Sequence, residues 1–485
     1  MITRSNRLLW RLKVRAWRRG YRFLERADPD VLTRKSEEAA VLTFQRAAAR
    51  VPFYRNLLKE RGVDPKRVTG PERFRELVPV VDKHQIFKDA PLHDLCVNGS
   101  LKDVKSILAS SGFSGVFSLG VNTQENQRHS ADAIDAALDY LFQVGDVRTL
   151  IVNAVPMGVK IPTSLPCADV SVRGDMALAI LKRLRPYYEQ FIVVSDPHFM
   201  KKLVEDGQDQ GVCWKDFPIH LVMGEDWFSE TMRTYLAGIT GADPDDPGES
   251  KLVGATMGVA ELDLNIFHET RDTIRIRRLA ERDGKLRHAL FGETEITPVL
   301  FHYYPHRTHV ELAPTAEGSR EIVFTMLSSR MRIPLVRYNA GDCGYLFSHG
   351  EMRDILRDFG YESYAPRLRL PLVAVSGRAG RTISAGGARL TPEAGRSALY
   401  ADPALARATT GQFWMSANNG RITFEVQLRP GYPPSNGMGP RLAERLGGGV
   451  DVVLVPYDGF PVGMAVDYER KFRHMNQTPV GPSVS

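Results

Sequence analysis

Two segments constrain this chain more than anything else in it. Thr149-Leu-Ile-Val152 and Phe191-Ile-Val-Val194 are β-rich and apolar throughout. Runs of that kind are expected as buried strands of a sheet covered by helices. Amphipathic segments stand where such helices are needed, at Met176 to Tyr188 and at Ser229 to Gly238. The alternation predicts an α/β fold of layered sheets and helices.

The chain has 485 residues, 43% of them apolar, which is more than one hydrophobic core usually organises. A helical stretch is expected through about residue 60, including Val51-Pro-Phe-Tyr-Arg55, followed by a turn at Gly62-Val-Asp-Pro65. Past about residue 375 the texture changes. A Gly- and Arg-rich segment from Gly377 to Arg389 leads into shorter strand-like runs, Arg421 to Gln427 and Val450 to Val455. We therefore expect a large N-terminal domain over residues 1–376 and a smaller α+β domain over 377–485, with a frayed tail from Thr478 to Ser485.

Lys and Arg outnumber Asp and Glu by 64 to 57, a surplus of +7 that suits an anionic small molecule and is too diffuse for a dedicated nucleic-acid binder. Cys96, Cys167, Cys213 and Cys343 are far apart and form no CxxC pair, as expected of reduced thiols in a cytoplasmic protein. No apolar run reaches the 18 or so residues of a membrane span, and the start of the chain lacks the apolar core of a signal peptide. Eight basic and no acidic residues fall between Met1 and Phe23, with Trp10, Val14, Trp17 and Tyr21 on one helical face. The expectation is that this aromatic face docks on the protein's own body; contact with an anionic membrane surface is the second reading.

The segment Ile107-Leu-Ala-Ser-Ser-Gly-Phe-Ser-Gly-Val116 runs from a strand-like stretch into a loop of serines and glycines. Such a loop can cradle a polyphosphate with backbone N–H groups and hydroxyls, or can simply link two strands. It is not the nucleotide-triphosphatase loop, because no Gly-Lys-Ser/Thr follows. Downstream, Pro334-Leu-Val-Arg-Tyr-Asn-Ala-Gly-Asp342 places an acid after an expected strand and a Gly turn, and Gly377-Arg378 opens the glycine-rich segment.

In that order, with Glu261 between them and Lys471 near the end, these residues resemble the adenylate-forming superfamily. The resemblance is closer still to its phenylacetate–CoA ligase-like branch, which includes capsule-biosynthesis relatives. Val51-Pro-Phe-Tyr-Arg55, Ser110-Ser-Gly-Phe-Ser-Gly115, Met223-Gly-Glu-Asp-Trp227 with Met232-Arg233, Met257-Gly-Val-Ala-Glu261 and Arg337-Tyr-Asn-Ala-Gly-Asp342 are similar to that branch's motifs. The resemblance implies a mobile C-terminal domain and a phosphate site at Ser110, Ser111, Gly112, Ser114 and Gly115. It further implies Gly224, Glu225, Met257 and Gly258 around adenine, Glu261 on Mg²⁺, and Asp342 on the ribose with Arg378 supporting it. Lys471 would place a cation on the carboxylate and α-phosphate in the transition state. Met157, Gly158, Gly254 and Ala255 are assigned by position to the acid's pocket.

Four positions depart from the branch. Val116 stands where many relatives have a phosphate-binding lysine, Phe113 replaces a threonine, Met257 replaces an adenine-stacking tyrosine, and Gly380-Arg381 replace an aspartate pair at the hinge. His302, His306 and His309 are spaced like metal ligands, but Pro305 breaks a helix there and His309-Val-Glu-Leu312 alternates like a strand, so they are expected to be structural or surface histidines.

The expectation is an enzyme that activates an aryl-acetic, aromatic or fatty acid with MgATP to acyl-AMP and then transfers the acyl group to CoA. Its partners are small molecules, with a homodimer as a further possibility and no nucleic acid. Two alternatives stay open: adenylation with an amine, carrier-protein thiol or non-carboxylate partner, and a degenerate relative that only binds nucleotide.

Overall fold

The computed structural model describes residues 4–110, 115–246, 248, 251–315, 318–378, 380–435, 437–460, 468, 469, 472, 474 and 475. Its centre is a 12-stranded sheet. One half is parallel. Cys167–Asp169, Thr149–Asn153, Gln190–Ser195, Ile219–Met223 and Val253–Val259 lie side by side in that order. The helices Gly174–Leu184, Pro197–Asp209 and Glu230–Thr240 make the crossovers. Ile151, Val152, Ile192 and Val193 are 1% exposed or less, so the apolar runs are strands covered on both faces.

The other half is antiparallel. From Val259 the chain turns straight back into Asp263–His268, and Val299–Tyr303, Leu372–Arg378, Tyr338–Phe347, Arg320–Met326 and Thr308–Pro314 follow across the sheet. The short strand Val81–Asp82 joins Tyr338–Asn339 in parallel. The switch from parallel to antiparallel pairing therefore falls at the turn that carries Glu261.

The expected helices are present, with shifted ends. Ser229 is the cap of its helix, its hydroxyl accepting from Met232 N at 3.1 Å, and the first helical residue is Glu230. The helix expected to reach Tyr188 stops at Leu184, because Pro186 has no N–H to donate to the carbonyl four residues back. Asp342 was expected after a strand; it stands inside one, since Pro334 to Arg337 is irregular and the strand begins at Tyr338. His309 is in the strand Thr308–Pro314, where its Nδ1 lies 3.3 Å from Ser36 Oγ, whereas His306 sits in the preceding turn. His302 is fully buried in the sheet.

The N-terminal helix Arg4–Leu24 packs on the helix Gln124–Phe142, with Val14, Trp17 and Tyr21 buried and Tyr21 stacked on Tyr140 at 4.4 Å. After Arg378 a separate three-stranded sheet forms from Thr409–Asn418, Arg421–Leu428 and Val450–Val455, the last pair parallel. It packs on the rest through the helix Pro392–Tyr400, so that Leu399, Leu405 and Phe413 share one continuous core with Phe199, Met232 and Leu236. The tail from Thr478 lies outside the described residues.

Candidate active site

The serine loop is carried by a hairpin, Val104–Ala109 paired with Leu119–Thr123. Its neck is closed by Ser110 N donating to Ser118 O and Ser118 N donating to Ser110 Oγ, both at 3.0 Å. Ser111, Gly112, Phe113 and Ser114 lie outside the described residues. Gly115 is exposed at φ +83°, a backbone conformation that favours glycine.

Behind the neck the hairpin presses on the turn that carries Glu261. A Cβ at Gly120 would stand 2.0 Å from Ala260 O, so only glycine allows this approach. Glu261 is 4% exposed, and its two carboxylate oxygens accept from Ser118 Oγ, at 2.8 Å, and from the Tyr338 hydroxyl. Burial, together with the Glu261 carboxylate, holds the Tyr338 phenol protonated, well above its ordinary range.

Two further side chains complete this wall. Lys83 Nζ donates to Ser110 Oγ at 2.9 Å. Lys83 opens a short helix, Lys83–Phe87, capped by Asp82, and Asp82 is fixed in turn by pairing with Asn339. Four residues past Tyr338, Asp342 stands in register with Arg378, whose Nε donates to Asp342 Oδ1 at 3.1 Å. Asp342 raises the Arg378 guanidinium above its usual value despite burial. Arg381 is lowered by burial and by the neighbouring Arg378 charge. One strand thus bears both the tyrosine that holds Glu261 and the acid that holds Arg378.

The facing wall is built from the ends of the parallel strands. Gly224 follows Ile219–Met223 and donates its N–H to Ser195 O at 2.9 Å, and Glu225 takes φ +67°, an uncommon conformation for a side chain of its size. Asp226 Oδ2 accepts from the Arg396 guanidinium at 2.9 Å, and Arg396 also reaches the Trp227 carbonyl and the imidazoles of His198 and His474. Burial first, then the Arg396 charge, depresses both histidines, His198 to about 4.

Against the second of these walls lies an apolar cavity of about 110 Å³. Leu138 and Leu141 line it from the helix Gln124–Phe142, Val155 and Val159 from the loop after Thr149–Asn153, and Gly224, Glu225, Gly254, Ala255 and Gly258 from the strand ends. Met157, 39% exposed, and Gly158 stand beside the cavity, between Val155 and Val159. Met257 is half-buried on the strand between two lining residues.

The strand under the cavity is held by buried charge. Glu269 accepts from Ala255 N at 2.7 Å and from Arg233 Nη2 at 2.6 Å, while Arg233 also reaches the Val253 carbonyl and pairs with Glu230 at 3.0 Å. Lys471 lies outside the described residues. Near it in sequence, Glu469 accepts from Met157 N and from Ser171 Oγ at 3.0 Å, and the Phe472 ring lies 4.2 Å from that of His198.

Among the described residues no group of three or more His, Cys, Asp or Glu forms a metal cage. The hard-oxygen surroundings of Glu261 fit Mg²⁺, which usually takes one or two carboxylates with phosphate oxygens completing its shell. Lys83, Ser118 and Tyr338 escaped sequence reasoning. Tyr338 lies inside a recognised motif, so its spacing of four from Asp342 on a strand was a usable signal; for Lys83 there was none.

The overall fold is that of the adenylate-forming acyl-CoA ligases. The structure of a 2-hydroxyisobutyryl-CoA ligase in the post-adenylation state with 2-HIB-AMP matches with a TM-score of 0.66 at 14% identity, over 92% of this chain and 90% of that one. The same ligase in the thioesterification state, with 2-HIB-AMP and CoA, matches with a TM-score of 0.54 at 14% identity, over 94% and 91%. No family model and no curated protein matches the chain. No described helix is long and apolar enough to cross a membrane.

Proposed function

We propose that this chain is an adenylate-forming ligase that converts R–COO⁻ and MgATP to acyl-AMP and pyrophosphate. One observation carries the reading: Tyr338 and Asp342, four apart on one strand, tie Glu261 and the Ser110 neck to the Asp342–Arg378 pair, beside an apolar cavity bordered by Gly224 and Glu225. A nucleotide needs such a set, with hydroxyls and a cation for its phosphates, a carboxylate for its ribose hydroxyls and an apolar space for the acid it activates.

In this reading one carboxylate oxygen attacks the α-phosphorus, the bond to the β-phosphate oxygen breaks, and pyrophosphate leaves. Ser110 and the loop following it bind phosphate, Asp342 accepts from the ribose hydroxyls and Arg378 holds it in place by donating to Oδ1. Glu261 would hold Mg²⁺, which supplies charge neutralisation on the triphosphate. Lys471 acts on the α-phosphate.

Lys83 supplies the cation that the loop lacks at Val116, since its ammonium already touches the first loop hydroxyl. The cavity favours a compact apolar acid. An apolar cavity of about 150 Å³ holds one benzene ring, so about 110 Å³ suits a short branched chain or a small ring. In the domain assignment we propose, residues 1–376 form the adenylating body and 377–485 the part that closes over it.

The test is acid-dependent pyrophosphate release across a panel of acids, with calorimetric binding of MgATP to the wild type and to Asp342→Ala. We expect Asp342→Ala to weaken ATP binding at least about tenfold. No MgATP binding by the wild type, or binding unchanged in the variant, would refute the assignment.

For the second step CoA is the proposed acceptor, in keeping with the fold. A different acceptor is the alternative, and one observation favours it. The C-terminal part is fastened by buried contacts, Arg396 to Asp226 and Arg429 to Glu205 at 3.1 Å, and a domain rotation would have to break them. Acid-dependent pyrophosphate release that never yields acyl-CoA would select the alternative.

A further inference from the structure

The N-terminal helix has a second face that folding does not use. Its inner face is satisfied: Val14, Trp17 and Tyr21 are buried, Lys13 pairs with Asp132 at 2.7 Å, and Arg18 pairs with Asp139 at 2.8 Å and Asp146 at 2.7 Å. On the outer face Leu8 and Leu9 are each 61% exposed, Leu12 50% and Phe23 63%. Arg11, Arg15, Arg19 and Arg22 are exposed as well, and no carboxylate among the described residues pairs with them.

The two sets are sorted. At about 100° per residue, Leu8, Leu12, Ala16 and Phe23 fall within a sector of about 80°, and Arg11, Arg15, Arg19 and Arg22 within a neighbouring sector of about 80° that overlaps it by about 20° at Arg19. A solvated outer face would be polar all round. Here, large apolar side chains lie in a stripe beside guanidinium groups. This arrangement suits an interface between hydrocarbon and anionic headgroups, where leucine and phenylalanine enter the acyl boundary and arginines remain at the headgroups.

We infer that the outer face of Arg4–Leu24 docks the protein on an anionic lipid bilayer. Charge complementarity selects this occupant, since about four unpaired arginines on one side of a single helix are matched by a surface of negative headgroups. The placement also has a functional side. The helix rests on Gln124–Phe142, which contributes Leu138 and Leu141 to the apolar cavity, so one helix layer separates the docking face from the cavity wall. An apolar acid partitioned into the bilayer would then be presented near its site. That last point rests on the adenylation reading; the docking itself does not.

The experiment is flotation of the full-length protein with vesicles of phosphatidylcholine alone and with about one third phosphatidylserine. We expect at least about tenfold greater partitioning onto the anionic vesicles, reversed by high salt. Arg15→Gln with Arg19→Gln should cut it by about tenfold, and Leu8→Ser with Leu12→Ser by a similar factor on the same vesicles. All four positions are exposed, so both variants should keep the wild-type melting temperature and pyrophosphate release without vesicles, which separates this test from that of the chemistry. No binding to anionic vesicles, equal binding to phosphatidylcholine alone, or variants that float like the wild type would overturn the inference. So would leucine variants that lose self-association while their vesicle binding stays intact, which would assign the face to a second copy of the chain.

Discussion

Lys83 is the residue on which the candidate site turns most sharply. Its ammonium stands 2.9 Å from Ser110 Oγ, whereas Val116 is buried and can offer the loop no charge. We expect Lys83→Met to lower pyrophosphate release by about a hundredfold through loss of transition-state charge stabilisation, and Lys83→Arg to restore part of it. Equal kcat/KM in Lys83→Met and the wild type would remove Lys83 from the mechanism. Gly120 makes a steric prediction. Gly120→Ala should lower the urea midpoint by an amount equivalent to about 1–3 kcal/mol, because the new methyl meets the Ala260 carbonyl. Glu261, Asp342 and Arg378 were visible in the sequence because they stand in recognisable short motifs. Lys83 was not, because what brings it to the loop is the pairing of Val81–Asp82 with a strand whose partner no local pattern announces.

At the level of elements, the apolar runs at 149–152 and 191–194 announced the parallel half of the sheet, since a strand buried on both faces leaves an unmistakable pattern. The antiparallel half was harder to anticipate. Asp342 is expected after a strand and a Gly turn, yet Gly341 is absorbed within the strand at φ +85° beside a register shift at Cys343 and Gly344. The buried Arg233–Glu269 pair was equally hidden, although Arg233 itself stands in one of the short motifs. That pair fixes the strand Val253–Val259 by its backbone, through Ala255 N and Val253 O. Glu269→Gln should therefore destabilise the protein by about 3–5 kcal/mol, because it leaves buried guanidinium charge undercompensated. Chemical denaturation measures it, and a loss below about 1 kcal/mol would show that Glu230 alone suffices for Arg233.

Across the whole molecule, burial has been applied to histidine in many places. His198, His302 and His309 are pushed down to about 4, and His220 and His268 to about 3, in every case chiefly by desolvation. A histidine depressed in the folded state stays neutral while the unfolded chain takes up its proton from about pH 6.5 downward. The stability held above that pH is then lost on acidification, each histidine adding a slope of up to about 1.4 kcal/mol per pH unit until its folded value is passed. We expect the urea midpoint to fall steadily from pH 7 to about pH 4, and a flat profile across that window would contradict these environments.

The Tyr54 hydroxyl accepts from the Val336 amide at 2.8 Å across 282 residues of sequence, and Phe44, Tyr54 and Phe74 share their small core with Leu327 and Val336. During synthesis at about 5–20 residues per second, the N-terminal helices therefore wait roughly 15–60 seconds for the segment that completes them. Through that interval their apolar faces are uncovered, so these early-made helices reach their native packing late and are a part of the chain in need of a chaperone.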